Sequence, residues 1–518
     1  MNFKLKYLKY KKKYLELKNQ SGGNYDCKKD LYNLQRNDIC EEKEGGEFFD
    51  MNSCINSERC NNKWENANSY INIITKQSFL KFDTFLDALN FKNSSKDSKD
   101  NLDNISVSEL KISNMNEYMA LNNFNTIYAE DVSLGSWHFN NNIENINLPN
   151  FFNKIKNILK LNLNIRSLPI GLGVLPQSLT HLTLNVDYPP IEVGVLPQSL
   201  THLTFGNNFN SPIEVGGLPQ SLTHLTFGNN FNSPIEVGGL PQSLTHLEFG
   251  NSFNSPIEVG VLPQSLTHLD FGNPIDIYVN SYDCCNYDTD EEHNGNHNYS
   301  DNFLLMLNDE EHNSFNQEIG ENVLPTSLTH LYFSYHFNKP LGNSLNNLVN
   351  LTHLMFGCKF NQPIELGRLP PNLIHLMFDT YFNQKIEANV LPQSLTNLIF
   401  TPSSKFNKPI ELNVLPSNLT HLVFGYKFVR KIKENVLPQS LNYLIFRCSS
   451  MYNHELDLTI LPNNLTYLCL GRYFYEPIVL PQSLTHLDIY NKEHDQINLL
   501  NNKLRFEIMF NQFDYLWS

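Results

Sequence analysis

The chain has 518 residues, 41% of them hydrophobic, and a formal net charge of −15. Its nine Cys are odd in number and follow no regular spacing, which excludes a disulfide-stapled scaffold and points to a reducing compartment. No apolar run free of charge is long enough to cross a bilayer, and Lys interrupts every apolar stretch near the start, which argues against a secretory signal.

Residues 1–23, MNFKLKYLKYKKKYLELKNQSGG, form a basic leader. Seven Lys and one Glu in its first 20 residues leave about −21 for the rest of the chain. Such a leader could touch an acidic partner, nucleic acid or a membrane face. Its plainer reading is a short solvated amphipathic helix in which Phe3, Leu5, Leu8, Tyr14 and Leu15 pack locally. Residues 24–104 are mostly rich in Asn, Lys, Ser and Glu and read as low-complexity and largely disordered. Cys27, Cys40, Cys54 and Cys60 cluster there without the C-x-x-C knuckles of a structural zinc site, so no metal is assigned. Residues 105–154 read as a small lead-in or N-terminal cap.

From about 155 to 490 the sequence repeats. Residues 196–217 read LPQSLTHLTFGNNFNSPIEVGG, and 218–239 are identical. Anchored on the first Leu of L-x-x-L-x-F, thirteen copies begin their core at Leu179, Leu200, Leu222, Leu244, Leu266, Leu328, Leu351, Leu373, Leu395, Leu419, Leu441, Leu465 and Leu484. A degenerate unit at Ile158, Leu161 and Leu163 precedes them. Anchors lie 19 to 24 residues apart except from Leu266 to Leu328, where an acidic, turn-rich insert near 273–312 separates Phe271 from Phe315. Residues 491–518 read as a C-terminal cap, because a terminal coil has no neighbour to cover its core.

A period of this size predicts a solenoid. In L-x-x-L-x-F the last Leu and the Phe flank one residue, so both face the coil interior, with Phe231 and Ile235 following as further core. Pro219 and Pro234 turn the chain. Ser221 sits in a column of Ser or Asn and Asn232 in a column of Asn, and both are expected to bond backbone at the turns, the Asn column as a buried ladder. The spacing follows that of leucine-rich repeats. The predicted fold is therefore an LRR-like curved array with a parallel β-sheet on its concave face.

The stretches Phe209-Asn210-Ser211-Pro212-Ile213 and Phe360-Asn361-Gln362-Pro363-Ile364 resemble the FNIP repeat, a 22-residue relative of leucine-rich repeats found in social amoebae and in giant viruses of amoebae. The leader is similar to the lysine- and tyrosine-rich start of many mimivirus-group proteins. Together the two resemblances imply a giant-virus FNIP-repeat protein. Some members of that family carry an F-box ahead of the repeats. Its Leu-Pro, Ile-Leu, Val-Cys and Trp pattern is absent from 25–150, where the closest fragment runs from Cys60 to Trp64, so ligase recruitment is not carried over.

Ten of the seventeen His share one column, from His181 to His486. In a parallel array each His neighbours only His, with no nucleophile or orienting carboxylate in register, so a stacked polar ladder is expected rather than catalysis. The column two residues on faces outward. It is polar early (Thr204, Thr226, Glu248, Asp270) and then apolar for seven copies at Tyr332, Met355, Met377, Ile399, Val423, Ile445 and Cys469. An exposed apolar stripe marks a binding surface, so Tyr332, Met355, Met377, Ile399, Val423 and Ile445 are the candidate partner-binding residues on the concave face. The expected function is a non-catalytic protein–protein interaction scaffold binding a host protein, in host cytoplasm or in the virion. It needs no cofactor, metal or specific nucleic acid. A substrate receptor of a ubiquitin ligase with a divergent N-terminal recruitment segment and a virion structural component are the alternatives.

Overall fold

The structure is a computed structural model that describes residues 39–41, 48–50, 80–85, 88–89, 104–135, 147–164, 170–185, 191–272 and 314–490. The leader, most of 24–104, the insert and the C-terminal segment lie outside the described residues. The chain divides into two compact units, Met1–Thr183 and Leu184–Ser518.

In the first unit, Ile39–Glu41 pairs antiparallel with Phe48–Asp50. The remaining strands are parallel: Leu80–Thr84 on Asn104–Ile112, Asn104–Ile112 on Thr126–Leu134, and Thr126–Leu134 on Ile155–Lys156 and Lys160–Leu163. The parallel coil thus begins well before residue 155, in the stretch that composition marks as lead-in. Ile105 and Val107 alternate into the interior of Asn104–Ile112, and Leu110 and Ile112 do so again after the alternation shifts by one residue. The short helices between strands are capped by side chains. Asn114 Oδ1 accepts from Glu117 N at 3.0 Å, and Asn147 Oδ1 accepts from Asn150 N at 3.0 Å.

The second unit is a stack of coils, each giving one short strand to a parallel sheet. Pairing is residue for residue: His202, Leu203 and Thr204 lie beside His224, Leu225 and Thr226, and those beside His246, Leu247 and Glu248. The register carries across the insert, where His268, Leu269 and Asp270 meet His330, Leu331 and Tyr332. Leu222, Leu225, Phe227 and Phe231 are at most 2% exposed, so the inside–outside assignment made from spacing holds.

Repetition turns each core position into a column. Within a coil Phe227 stacks on Phe231 with ring centroids 3.8 Å apart, and Phe227 stacks on Phe249 of the next coil at 5.6 Å. Phe271 and Phe315, on either side of the insert, stack at 4.2 Å like any other pair within one coil. The Asn column also connects coils. Asn210 Oδ1 accepts from Asn232 N at 2.8 Å, Asn232 Oδ1 from Asn254 N at 2.8 Å, and Asn254 Oδ1 from Asn316 N at 2.9 Å. These Asn are exposed or half-buried rather than buried as expected, because the column runs along the turns. The Ser column bonds the preceding coil: Ser221, Ser243 and Ser265 each donate at 2.6 Å to the carbonyl of Leu200, Leu222 and Leu244.

Two glycine columns mark close approaches and turns. A Cβ on Gly228 would lie 2.1 Å from the Gly206 carbonyl oxygen, so a side chain there would force these early coils to shift, whereas Ser334 and Asp379 stand at the same position in later coils. Gly216 and Gly238 turn with φ of 83° and 87°, and Asn389, Asn413 and Asn435 take the same place later with φ of 64°, 66° and 58°. Gly and Asn are the residues that tolerate this conformation.

Candidate binding surface

Alternation along each strand puts the His column and the column two residues further on the sheet face opposite the Phe stacks. His202, His224, His246, His268, His330 and His353 stack with ring centroids 4.1 Å apart, and His375 continues at 4.2 Å. The ladder resumes with His421 on Tyr443 at 4.3 Å. Between them Asn397 takes the His position and is 3% exposed.

The threonine before each of these His, except His375, which follows Ile374, fixes its ring. Thr223 Oγ1 lies 3.1 Å from the Thr201 carbonyl oxygen and 2.9 Å from His224 Nδ1, and Thr245 and Thr267 repeat the arrangement. The hydroxyl has one proton. Donating it to the carbonyl leaves its lone pair to accept from Nδ1–H, which assigns the Nδ1–H tautomer. Burial first, and the neighbouring imidazoles second, hold His268 down to about 4 and His353 down to about 3. His246 and His330 are lowered for the same reasons. The ladder is therefore neutral near pH 7. Parallel stacked rings aim their nitrogens side by side, not at a common point, so they do not form a chelating site. Among the described residues no group of three or more His, Cys, Asp or Glu is placed to hold a metal ion.

The outward column corrects the sequence reading. Met355, Met377, Ile399, Val423, Ile445 and Cys469 are between 1% and 5% exposed. They pack on one another as a second apolar core, with half-buried Tyr332 and Tyr467 against it. The column lies on the sheet face that alternation predicts, but that face is covered. Alternation says which face a residue occupies, not whether that face meets water. The missed signal is in the strands themselves. His-Leu-Met-Phe, Asn-Leu-Ile-Phe and Tyr-Leu-Ile-Phe are nearly continuous apolar runs, the pattern of parallel strands covered on both faces. The early strands, His-Leu-Thr and His-Leu-Glu, keep a polar outward residue, and Glu248 is exposed. The stripe from Tyr332 to Ile445 is thus not an exposed docking face, and the premise for placing a partner there does not hold.

The FNIP repeat model matches residues 167–208, 189–230, 209–252 and 231–274, then 315–359, 360–402, 406–449 and 452–492. These matches cover more than half of the chain. The chain belongs to the FNIP repeat family. The matches stop at 274 and resume at 315, where the coil pattern breaks and restarts. Among solved structures this FNIP array is similar to CroV588, a novel circular LRR protein, at 32% identity with a TM-score of 0.50. The similarity covers 78% of this chain and 61% of that one, so the chain spans less than two thirds of that protein's length. A leucine-rich repeat protein from Bacteroides ovatus ATCC 8483 matches at 11% identity over 77% of this chain and 83% of that one, with a TM-score of 0.15. No curated protein matches. The fold is an LRR-like parallel β-solenoid, a kind typically non-catalytic, and no helix among the described residues is long and apolar enough to cross a membrane.

Proposed function

We propose that this FNIP array is a non-catalytic scaffold that holds another protein, a host protein of an amoeba infected by a giant virus. The observation that carries the reading is the repetition of the outward side chains. His sits on His and Thr204 on Thr226, one strand spacing apart, and among the described residues of this face unlike titratable groups do not converge on a reacting atom. A surface repeated by translation suits an extended contact with a macromolecule. The viral setting is supported by the lysine- and tyrosine-rich leader, and a reducing cytoplasm by buried Cys358, Cys448 and Cys469, which are thiols rather than disulfides. Affinity capture with the full chain from amoebal lysate, beside capture with residues 1–150, tests it. Specific host proteins held by the full chain but not by 1–150 support a scaffold. Ligase adaptors recovered on 1–150 would instead favour a ubiquitin-ligase substrate receptor, and abundance in purified particles a virion component.

A further inference from the structure

The second unit has an exposed apolar ridge that its folding leaves uncovered. At the turn following each Ile of P-P-I (Ile191) or F-N-S-P-I (Ile213, Ile235 and Ile257), Val193, Val215, Val237 and Val259 project from four consecutive coils and are 56% to 61% exposed. The coils are in direct register here, since Ile213 and Ile235 form a parallel bridge. Val215 and Val237 lie against the glycine turn of the next coil, with Cγ1 3.7 Å from where a Cβ on Gly238 or Gly260 would stand. The Val side chains therefore form one continuous row at about 4.8 Å per step.

Beside this row runs a second, of Glu192, Glu214, Glu236 and Glu258, all exposed. Its charge is uncompensated by sequence. From Ser167 to Asn338 the chain has nineteen Asp and Glu and not one Lys or Arg. The same Glu column in later coils is neutralised: Glu365 pairs with Arg368, Glu387 with Lys385 at 2.8 Å, and Glu411 with Lys433 at 2.7 Å. We infer that the Val193–Val259 ridge docks a lysine- or arginine-bearing amphipathic helix of a partner protein, its apolar side chains on the Val row and its cations over the Glu row. Spacing favours a helix. Four coils span about 14 Å, three helical turns about 16 Å, and three same-face steps of an extended strand about 20 Å. A helix keeps its side chains close to register with successive Val, and a strand does not. A carboxylate row with no ion pair among the described residues would also steer a basic partner before contact.

This inference rests on the scaffold reading and adds to it a surface and a partner class. The probe is a fluorescein-labelled amphipathic Lys/Leu peptide of about 18 residues, titrated with the full chain and followed by anisotropy. Binding should weaken with salt, and a peptide with Ser in place of Leu should not bind. The triple change E214Q, E236Q and E258Q should weaken binding by about tenfold, at a few tenths to 1 kcal/mol per exposed charge pair. V215S with V237S should weaken it comparably, while E365Q, E387Q and E411Q leave it unchanged. All these side chains are exposed or on turns, so circular dichroism should match the wild type. Unchanged binding by the early triple variant would assign the peptide to other acids, such as those of the 273–313 segment, and overturn the proposal. Unchanged binding by the Val pair would overturn it too, as bare charge attraction. Neither failure would touch the host-protein capture experiment, which reads the scaffold independently of this ridge.

Discussion

The coils around His202–Asp270 and those around His353–Cys469 share one interior and differ outside. Inside, both stack Phe on Phe, bond Asn to Asn and close the sheet in the same register. Outside, the early coils show Thr, Glu and Asp on the sheet face and a bare Val–Glu ridge at the turn. The late coils bury Met, Ile, Val and Cys on the sheet face and pair their turn carboxylates with Lys or Arg. The interior ladders fix coil geometry on their own, which leaves the outer columns to vary. In this array a change of surface chemistry along the chain carries no change of fold, so the surface is where the two stretches can differ in what they meet.

The largest expected difference comes from charge on the outward column. Lys at both Met377 and Ile399 would enter the apolar cluster without a partner, and a buried unpaired charge is destabilising by several kcal/mol. Loss of soluble folded protein, or collapse of hydrogen-exchange protection over the late coils, is the expected result. Thr204→Lys with Thr226→Lys in the half-exposed early column should change stability by less than about 1 kcal/mol. Equal tolerance of the two pairs in a denaturant titration would mean that the two faces do not differ as described.

A shared interior predicts equal losses there. Phe231→Ala in the early half and Phe382→Ala in the late half each remove a buried ring stacked within and between coils, and each should lower local stability by about 3–5 kcal/mol. Local exchange protection is the readout, because a repeat array need not unfold in one step. A loss confined to one half would break the claim of a common core.

These contrasts also show what the sequence made legible. Leu225, Phe227 and Phe231 could be placed inside because alternation and the L-x-x-L-x-F spacing act within one coil. The Ser and Asn columns could be expected to bond backbone for the same local reason. The burial of Met377 depends on what covers the far side of the sheet, which alternation does not encode and only the nearly continuous apolar run His-Leu-Met-Phe signals. The strands Asn104–Ile112 and Thr126–Leu134 escaped because they are nine residues long and lack the repeat's Leu and Phe signature, although they pair in the same parallel manner. The Val ridge has no such local signal, because Val193 and Val215 sit in repeat positions that read as turn.

The His ladder spans both stretches and should make the array acid-sensitive. An unfolded imidazole takes up a proton near pH 6.5, whereas His268 resists to about 4 and His353 to about 3. Between those values the unfolded chain binds more protons, so stability rises with pH across that window. The contribution is complete above pH 6.5 and is lost as pH falls toward 3. His330→Asn with His353→Asn, copying the Asn that already stands at 397, should flatten the slope of stability below pH 6.5. An unchanged slope in urea titrations at pH 4.5 and 7 would show that the stack is not what acid disrupts.

The smallest expected difference lies in the Asn ladder, which is common to both halves but not equally dry. Asn232 is exposed, and its Oδ1 accepts from Asn254 N at 2.8 Å. Asn361 is half-buried, and its Oδ1 accepts from Asn383 N at 2.9 Å and from Gln384 Nε2 at 3.2 Å. Removing an acceptor is mild where water can replace it and dearer where the donor is left sheltered. Asn232→Ala should therefore cost about 0.5 kcal/mol and Asn361→Ala about 1–1.5 kcal/mol. The chain contains its own precedent. Val429 takes an Asn position, still donates its N–H to Asn407 Oδ1 at 3.1 Å, and passes on no side-chain acceptor, yet the next coil stacks with its Tyr452 ring 6.1 Å from Phe428. His454 Nε2 lies 2.9 Å from the Val429 carbonyl oxygen, the place that Gln384 Nε2 takes on the Asn361 carbonyl at 3.0 Å. If Asn361→Ala proves as mild as Asn232→Ala in paired thermal melts, the late turns are as wet as the early ones, and the contrast between the two stretches is confined to the sheet face and the charge row.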